Sequence, residues 1–321
     1  MKAIDPIPLS AIEAAAVRIA GAAIRTPLVR LEDGPEGTEV YLKLECLQPI
    51  GSFKIRGASN AMAIAGAARL ANGVCTASAG NMAQGVAWNA RRLGIPCHVV
   101  VPDHAPEAKL AALSRLGATV VKLPFADWWE VLCGTREPGV PGLFVHPVCD
   151  PAVIAGNGTI GLEILEELPG VDAVLVPYGG GGLSCGIACA LRHRRPEARV
   201  FACEVATAAP LAASWVAGAP QVVAYAPSFV DGIGGRSILD PMWALAREVL
   251  AGSLVVDLEQ VAGAIRRLAA RSHVVAEGAG AASVAAALAG LAPRGKVVCV
   301  VSGGNIDAAK LGAILAGSVP V

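Results

Sequence analysis

The sequence predicts an α/β protein of two lobes, in which parallel-rich sheets are flanked by helices. Two patterns support this fold class. Short runs rich in β-branched residues alternate with long alanine-rich segments, which is typical of parallel sheets covered by helices. Several of the short runs are apolar almost throughout, as a strand buried on both faces requires. The length of 321 residues suits two lobes of roughly 100–200 residues each.

The individual elements follow from the same patterns. The predicted strands span residues 40–45, 73–78, 97–101, 119–123, 173–176, 200–205 and 297–301. The predicted helices span residues 55–70, 84–93, 107–116, 184–192 and 258–271. Residues 73–123 therefore form a compact βαβαβ module. We expect this module to be the core of a small domain, residues 47–146, and the large domain to comprise residues 1–46 and 147–321.

The charge balance excludes two classes of partner. Lys plus Arg and Asp plus Glu number 26 each and are scattered, so no charged surface is available for nucleic acid or an anionic membrane. The apolar stretches are interrupted before they reach the about 20 residues of a membrane helix.

Only 16% of the residues are charged, against roughly 25% in an average domain. This low charge indicates buried interfaces, and we expect a homodimer or homotetramer.

The cysteines indicate a reducing compartment. There are nine, without a CxxC pair and without the Cys/His spacing of a zinc site. Several lie within apolar runs, which is typical of buried, reduced thiols. The N-terminal residues lack the apolar segment of a secretion signal. We therefore expect a cytoplasmic protein.

Lys54 is the first candidate for chemistry. It follows Gly51, Ser52 and Phe53 at the start of the predicted helix 55–70, with few other charged residues nearby. If it is buried, desolvation lowers its pKa and leaves a neutral amine that can attack an aldehyde. Taken alone, the motif is equally compatible with a solvated surface lysine.

A run of four glycines is the second candidate. It connects the predicted strand 173–176 to the predicted helix 184–192, so its backbone N–H groups and the helix N-terminus can converge on an anion. The alternative is a flexible turn, which is entropically costly without a ligand. The spacing fits neither a dinucleotide-binding motif nor a P-loop. We predict that a phosphate monoester is bound by Gly179, Gly180, Gly181, Gly182 and Leu183.

Two further polar segments follow predicted strands. One turn comprises Ser78, Ala79, Gly80, Asn81 and Met82. Its N–H groups and the Ser78 hydroxyl can hold a carboxylate, and the Asn81 amide can donate to a phenolate oxygen; an ordinary helix N-cap is the alternative. Ser302 lies at the end of the last apolar strand. In an open α/β sheet, ligands bind outside the carboxyl ends of strands, where all these segments are expected.

Together the four motifs resemble the fold-type II enzymes of pyridoxal phosphate (PLP), which are similar to tryptophan synthase β. The branch they resemble most is that of threonine and serine dehydratases (threonine ammonia-lyases) and serine racemase. The resemblance extends from residue 27 to residue 305, with the motifs in the family's order. It implies PLP as the cofactor, bound in the large domain.

The resemblance also implies individual roles. Lys54 matches the Schiff-base lysine that moves the α-proton, and Phe53 matches the aromatic residue that flanks the cofactor ring. Asn81 matches the partner of the 3-oxygen, residues 179–183 the phosphate loop, and Ser302 the hydroxyl at the pyridine nitrogen. The turn 78–82 matches the segment that binds the substrate carboxylate. Glu277 matches a position beside the cofactor.

Departures from the family pattern bear on the reaction. Ala79 stands where serine racemase has a second serine as acid/base, which favours elimination over racemisation. Met82 stands where the family commonly has histidine, so a more apolar substrate pocket is expected. Three aromatic residues can extend that pocket for an aryl substrate, or can simply pack in the core: Phe125, Trp128 and Trp129.

Two other departures concern features that related enzymes possess. In the loop that matches the racemase cation site, Glu204 is present but Ala208 and Pro210 supply no second carboxylate, so no metal site is expected. The chain ends at Val321, shortly after the last motif. We therefore expect no C-terminal regulatory domain.

The sequence thus predicts a PLP-dependent dehydratase that converts a β-hydroxy L-amino acid to a 2-oxo acid and ammonia. Threonine or serine is the default substrate, and a bulkier aryl analogue such as phenylserine is an alternative. An amino-acid racemase or a β-replacement enzyme of the same cofactor is the second hypothesis. A hypothesis of another class is a non-catalytic protein that binds a phosphorylated metabolite.

Overall fold

The computed structural model describes residues 2–32 and 34–320. Its ten strands are β1 (Leu28–Leu31), β2 (Thr38–Lys43), β3 (Val74–Ala77), β4 (Cys97–Pro102), β5 (Thr119–Leu123), β6 (Leu143–Phe144), β7 (Ala173–Pro177), β8 (Arg199–Val205), β9 (Gly252–Val256) and β10 (Gly295–Val300). Within the described residues these strands form two separate sheets.

The helices in the same ranges are α1 (Leu9–Ile19), α2 (Lys54–Arg69), α3 (Asn81–Leu93), α4 (Glu107–Arg115), α5 (Phe125–Cys133), α6 (Pro151–Glu167), α7 (Gly182–Arg194), α8 (Pro210–Ala217), α9 (Asp240–Val249), α10 (Leu258–Arg267), α11 (Gly278–Leu288) and α12 (Ala308–Leu315). A 3₁₀ turn, Glu45–Leu47, precedes α2, and a π-helical turn, Leu268–Ser272, follows α10. Helix α2 is interrupted at Gly66, where φ is 69°. No helix of the described part is both long and apolar enough to cross a membrane.

The larger sheet has the strand order β1-β2-β10-β7-β8-β9, and all its pairs are parallel except β1 with β2. Its two faces are covered by different helices. Val174 and Val176 of β7 pack into a core with α1, α6, α7 and α9, whereas Leu175 packs into a second core with α10 and α11. The apolar strands therefore are buried on both faces, as their sequences predict.

The smaller sheet has the order β5-β4-β3-β6 and is entirely parallel. Its core combines the sheet with α2, α3 and α4, and includes Met62, Val86, Val99 and Leu113. The predicted βαβαβ module is confirmed, since β3, α3, β4, α4 and β5 follow one another within it. The domain division at residues 47 and 146 stays a prediction.

The predicted boundaries differ from the structure in specific places. The strand predicted at 40–45 lies at Thr38–Lys43, because Glu45 enters the 3₁₀ turn. Helix α3 begins at Asn81, three residues before its predicted start. The predicted helix 258–271 is wrong in its last turn, which is π-helical and ends at His273, where φ is 54°. The spacing of apolar residues does not distinguish an α-helical turn from a π-helical one.

Candidate active site

One cavity of about 330 Å³ lies at the carboxyl ends of β3, β7 and β10. Its lining contains every residue that the sequence predicts to hold the cofactor or the substrate carboxylate. These residues are Phe53, Lys54, Ser78, Ala79, Gly80, Asn81, Met82, Gly179, Gly180, Gly181, Gly182, Leu183 and Ser302. The fold therefore brings together four segments, at residues 53–54, 78–82, 179–183 and 302, and the last three follow strands as the strand-end argument requires.

Lys54 is the first residue of α2, and its amine lies inside this cavity. The turn before it is joined to the end of β10: the Phe53 N–H donates to the Ser302 carbonyl at 3.0 Å, and the Gly304 N–H donates to the Gly51 carbonyl at 2.9 Å. Lys54 Nζ donates to the Pro147 carbonyl oxygen at 2.9 Å. Burial lowers the pKa of Lys54 to about 8, because the charged form loses its hydration. At pH 7 about one amine in ten is therefore neutral, far more than for an ordinary lysine.

The glycine loop begins where β7 ends and leads into the N-terminus of α7. Gly181 has a φ of 91°, which favours glycine, and a Cβ on Gly180 would lie 2.6 Å from the Val148 side chain. The backbone N–H groups of residues 179–183 have no acceptor among the described residues. Unpaired N–H groups at a helix N-terminus form an anion site, so the loop fits a phosphate monoester.

The turn after β3 lines the same cavity as this loop. Ser78 Oγ accepts from the Gly80 N–H at 3.2 Å. Asn81 is fixed from both sides: its Nδ2 donates to Glu277 Oε1 at 2.8 Å, and its Oδ1 accepts from Asn305 Nδ2 at 2.7 Å. Because an amide nitrogen carries two hydrogens, one Asn81 N–H stays available for a ligand.

Ser302 follows the end of β10 by two residues and is buried at the cavity wall. Its carbonyl accepts the hydrogen bond from the Phe53 N–H and so holds the turn before Lys54. A hydroxyl at this place is uncharged at all ordinary pH values. It can therefore hydrogen-bond to a neutral ring nitrogen without protonating it.

The structure adds a buried carboxylate to the predicted set. Glu277 precedes α11, is 7% exposed, and accepts the hydrogen bond from Asn81. Burial, together with the nearby Asp231 carboxylate, raises the pKa of Glu277 to about 7. The sequence marked this position without a role, and the structure shows that it orients Asn81.

Two further contacts at the cavity have no signal in the sequence. Lys109 of α4 and Asp231 both line the cavity and form an ion pair of 2.9 Å. The Pro147 carbonyl that pairs with Lys54 is a backbone group, which no side-chain pattern can predict. Of the three predicted aromatic residues, Trp128 lines the cavity; Phe125 is exposed and Trp129 packs against the core of the larger sheet.

A cluster of buried ion pairs fixes the first turn of α2 in place. Arg56 is fully buried and pairs with Glu45 at 2.8 Å and with Glu163 of α6 at 2.6 Å. Lys43, also buried, pairs with Glu163 at 2.7 Å. Although burial alone would raise it, Arg56 and Lys43 hold the pKa of Glu163 below its usual value. The helix that begins with Lys54 is thereby attached to the larger lobe.

Glu204, which matches the cation site of the racemases, has a structural role. Its carboxylate accepts from the Leu211 and Ala212 N–H groups at 2.9 and 2.7 Å, and from Ser253 Oγ at 2.7 Å. It therefore satisfies the N-terminus of α8. In the described part of the chain, no three His, Cys, Asp or Glu side chains are grouped as metal ligands.

The donors of the cavity fit PLP. Unpaired N–H groups and a glycine loop without room for side chains suit a phosphate monoester, and the amine of Lys54 suits an aldehyde. An amide N–H and a neutral hydroxyl complete the set at Asn81 and Ser302.

Comparison with known proteins agrees with this chemistry. The chain is 43% identical over 274 residues to an L-threonine ammonia-lyase of Thermotoga maritima, which covers 84% of this chain and 68% of the relative. It is 37% identical to the catabolic L-threonine dehydratase TdcB of Escherichia coli K12, over 96% of both chains. The processed form of threonine deaminase isoform 2 from Solanum lycopersicum is 31% identical and superposes with a TM-score of 0.87, over 98% of this chain and 90% of that one.

The family model described as pyridoxal-phosphate dependent enzyme matches residues 19–303. This range includes α2 with Lys54, the turn after β3, the glycine loop and Ser302. The predicted fold class and cofactor are therefore confirmed. The chain belongs to the pyridoxal-phosphate dependent enzyme family.

Proposed function

We propose that this protein is a dehydratase (ammonia-lyase) that converts a β-hydroxy L-amino acid, with threonine and serine as the default substrates, to a 2-oxo acid and ammonia. The main support is the cavity itself, where a partly neutral Lys54 amine lies with the glycine loop and with Ala79 in place of a second acid/base. The relatives named as threonine ammonia-lyase and threonine dehydratase support the same reaction.

We assign the binding roles as follows. Residues 179–183 would hold the cofactor phosphate through their N–H groups, Phe53 would flank the ring, and Asn81 would donate its remaining N–H to the 3-oxygen. Ser302 would offer an uncharged hydroxyl to the ring nitrogen, which would not protonate it. The turn 78–82 holds the substrate carboxylate with its N–H groups and the Ser78 hydroxyl.

Lys54 is the proposed catalytic residue. When bound, PLP supplies an electron sink for the α-carbon. Lys54 Nζ would hold the cofactor through its aldehyde and, when free, would remove the α-proton of the substrate as general base. The β-hydroxyl leaves as water after it takes a proton, which Lys54 Nζ can return. The enamine product then takes up water and releases ammonia, so one 2-oxo acid and one ammonia form per amino acid.

The product balance tests the proposed function. The holoenzyme should form 2-oxo acid and ammonia in equal amounts from L-threonine and L-serine. D-Serine without ammonia would instead identify a racemase, and product formation that needs an added thiol would identify a β-replacement enzyme. A protein that binds PLP phosphate but turns over no amino acid would be the non-catalytic alternative.

The pKa of Lys54 predicts how the cofactor-free protein takes up PLP. Only the neutral amine attacks an aldehyde, and its fraction rises with pH until the pKa of about 8 is passed. The rate of cofactor uptake, followed by stopped-flow absorbance, should therefore rise about tenfold per pH unit at acidic pH and level off above pH 8. A rate that still rises steeply between pH 9 and 10 would show an ordinary lysine and contradict its burial.

Ala79 predicts a gain of function. Ala79→Ser places a hydroxyl in the substrate turn, at the position where serine racemase has its second acid/base. General acid/base groups contribute roughly 100-fold or more, so racemisation of serine should rise by about that factor. Chiral chromatography of recovered serine measures it, with Ala79→Gly as the control that adds no proton donor. Equal racemisation by both variants would refute the assignment of the turn.

We also propose a homo-oligomer in the cytoplasm. Large apolar side chains remain exposed on the isolated chain, among them Val17 at 77%, Val216 at 91% and Val222 at 80%. All nine cysteines are free thiols, and eight of them are buried, which suits a reducing compartment. Sedimentation velocity should give a dimer or tetramer; a monomer at micromolar concentration would contradict the first proposal.

A further inference from the structure

Helix α5 forms one wall of the cavity. Trp128 and Leu132 are four residues apart, hence on the same face of the helix, and both line the cavity. Met82 of α3 lines it as well and is buried, with 2% exposure. None of these three side chains carries a charge, so this part of the site is an apolar surface.

The indole of Trp128 presents carbon atoms to the cavity. Its Nε1 is buried without solvent exposure and has no hydrogen-bond partner among the described residues, so it does not point into the open space. The ring is held by two neighbours on the same helix: the Phe125 ring centroid lies 5.8 Å away and the Trp129 centroid 6.4 Å away. Rings at these distances pack favourably and keep the indole in place.

This wall adjoins the reacting amine. His146 Nδ1 accepts from the Val148 and Cys149 N–H groups, so its proton is on Nε2, which donates to the Leu132 carbonyl at 2.8 Å. The next residue, Pro147, accepts the hydrogen bond from Lys54 Nζ. The segment 146–147 thus joins the end of α5 directly to Lys54, so the apolar wall and the Lys54 amine line neighbouring parts of one cavity.

The charged groups of the cavity are already paired. Lys109 pairs with Asp231 at 2.9 Å, and Glu277 accepts from Asn81 at 2.8 Å. A charged β-substituent would have to break one of these pairs, whereas an apolar one would only displace water from Trp128, Leu132 and Met82. A methyl group, as in threonine, would cover little of this surface.

From this arrangement we propose that the site prefers β-hydroxy amino acids with an apolar, ring-sized β-substituent, and that Trp128 is the residue that determines this preference. The inference rests on the proposed elimination and specifies its substrate class. Apolar contacts of this kind change kcat/KM by roughly 10–100-fold. We therefore expect the holoenzyme to use L-3-phenylserine at least about tenfold better than L-threonine.

Substitution of Trp128 tests the role of the wall. Trp128→Ala should lower kcat/KM for phenylserine by roughly 10–100-fold and change it for threonine by less than about threefold. Trp128→Phe keeps a ring and should retain most of the preference, which guards against a fold defect in the alanine variant. Trp88→Ala is the matched control, because this half-buried tryptophan on α3 packs on Arg92 and does not line the cavity. It should leave the preference unchanged.

Binding without turnover separates this proposal from the reaction itself. L-Phenylalanine and L-2-aminobutyrate correspond to phenylserine and threonine without the hydroxyl, so they bind without elimination. The change in cofactor absorbance should give a dissociation constant at least about tenfold lower for phenylalanine, and Trp128→Ala should remove the difference. Equal dissociation constants for phenylalanine and 2-aminobutyrate would overturn the inference, and so would equal losses of kcat/KM for phenylserine and threonine in Trp128→Ala. Neither result would affect the proposed dehydration of threonine. If no β-hydroxy amino acid gave 2-oxo acid, the proposed reaction would be overturned instead. The ratio of the two dissociation constants would then still show whether the pocket prefers a ring-sized substituent.

Discussion

Replacing Lys54 with alanine is expected to abolish the visible absorbance of bound PLP and to lower dehydration by at least about 10⁴-fold. The variant loses both the amine that carries the cofactor and the base that removes the α-proton. Absorbance of the purified protein and a coupled 2-oxo acid assay measure the two effects. The fold should persist, since within residues 2–32 and 34–320 the Lys54 side chain makes a single hydrogen bond, to the Pro147 carbonyl.

Lys109→Ala is the matched control, because Lys109 is the other lysine on the cavity wall and is paired with Asp231. This variant should retain the covalently bound cofactor. If Lys54→Ala still formed 2-oxo acid at the wild-type rate, or if Lys109→Ala lost the cofactor instead, the assignment of Lys54 would be wrong.

The second large effect concerns Arg56, and it is an effect on stability. Arg56→Met removes the guanidinium that pairs with Glu45 and Glu163, and leaves two carboxylates in a buried place. Breaking a buried ion pair in this way costs about 3–5 kcal/mol of the free energy of unfolding, equivalent to a fall of about 5–10 °C in Tm. The loss should be smaller at acidic pH, because protonation removes the unpaired charge.

Thermal unfolding of the holoenzyme at pH 7 and pH 5 measures this effect. Arg192→Met is the control, since Arg192 pairs with Glu248 at 2.8 Å on the surface, with 40% of its side chain exposed. Exposed ion pairs contribute roughly 0–1 kcal/mol to the free energy of unfolding. Equal shifts in Tm for the two variants would mean that the buried cluster does not hold α2 as described.

The predicted site segments line one cavity where a strand and the polar residues after it are contiguous in the sequence. The glycine loop and the turn 78–82 each follow an apolar strand, so the general position of ligand sites in parallel sheets places them together. The ends of the seven predicted strands lie within about two residues of the observed ends, because β-branched runs mark buried strands locally, whereas β1, β6 and β9 were not predicted.

What the sequence did not predict depends on contacts between distant residues. Arg56 and Glu163 are 107 positions apart, and Lys109 and Asp231 are 122 apart, so neither pair has a local pattern. Each residue alone resembles a solvated charge on a helix. The orientation of Asn81 by Glu277 is of the same kind, since 196 positions separate the two residues.

The aromatic residues of α5 show the same limit within a single helix. Phe125, Trp128 and Trp129 are equally apolar in the sequence, but only the packing of α5 against both lobes decides that Trp128 meets the cavity. Helical spacing gives the relative directions of the three side chains and not the direction of the site.

The most direct measurement is to map the residue that carries the cofactor. Borohydride reduction of the holoenzyme fixes PLP to the lysine that binds it, and mass spectrometry of the digested protein identifies that peptide. We expect the added mass on Lys54 alone, with one cofactor per chain. Modification of Lys109 or another lysine, or no modified peptide from a protein that still forms 2-oxo acid, would contradict the account.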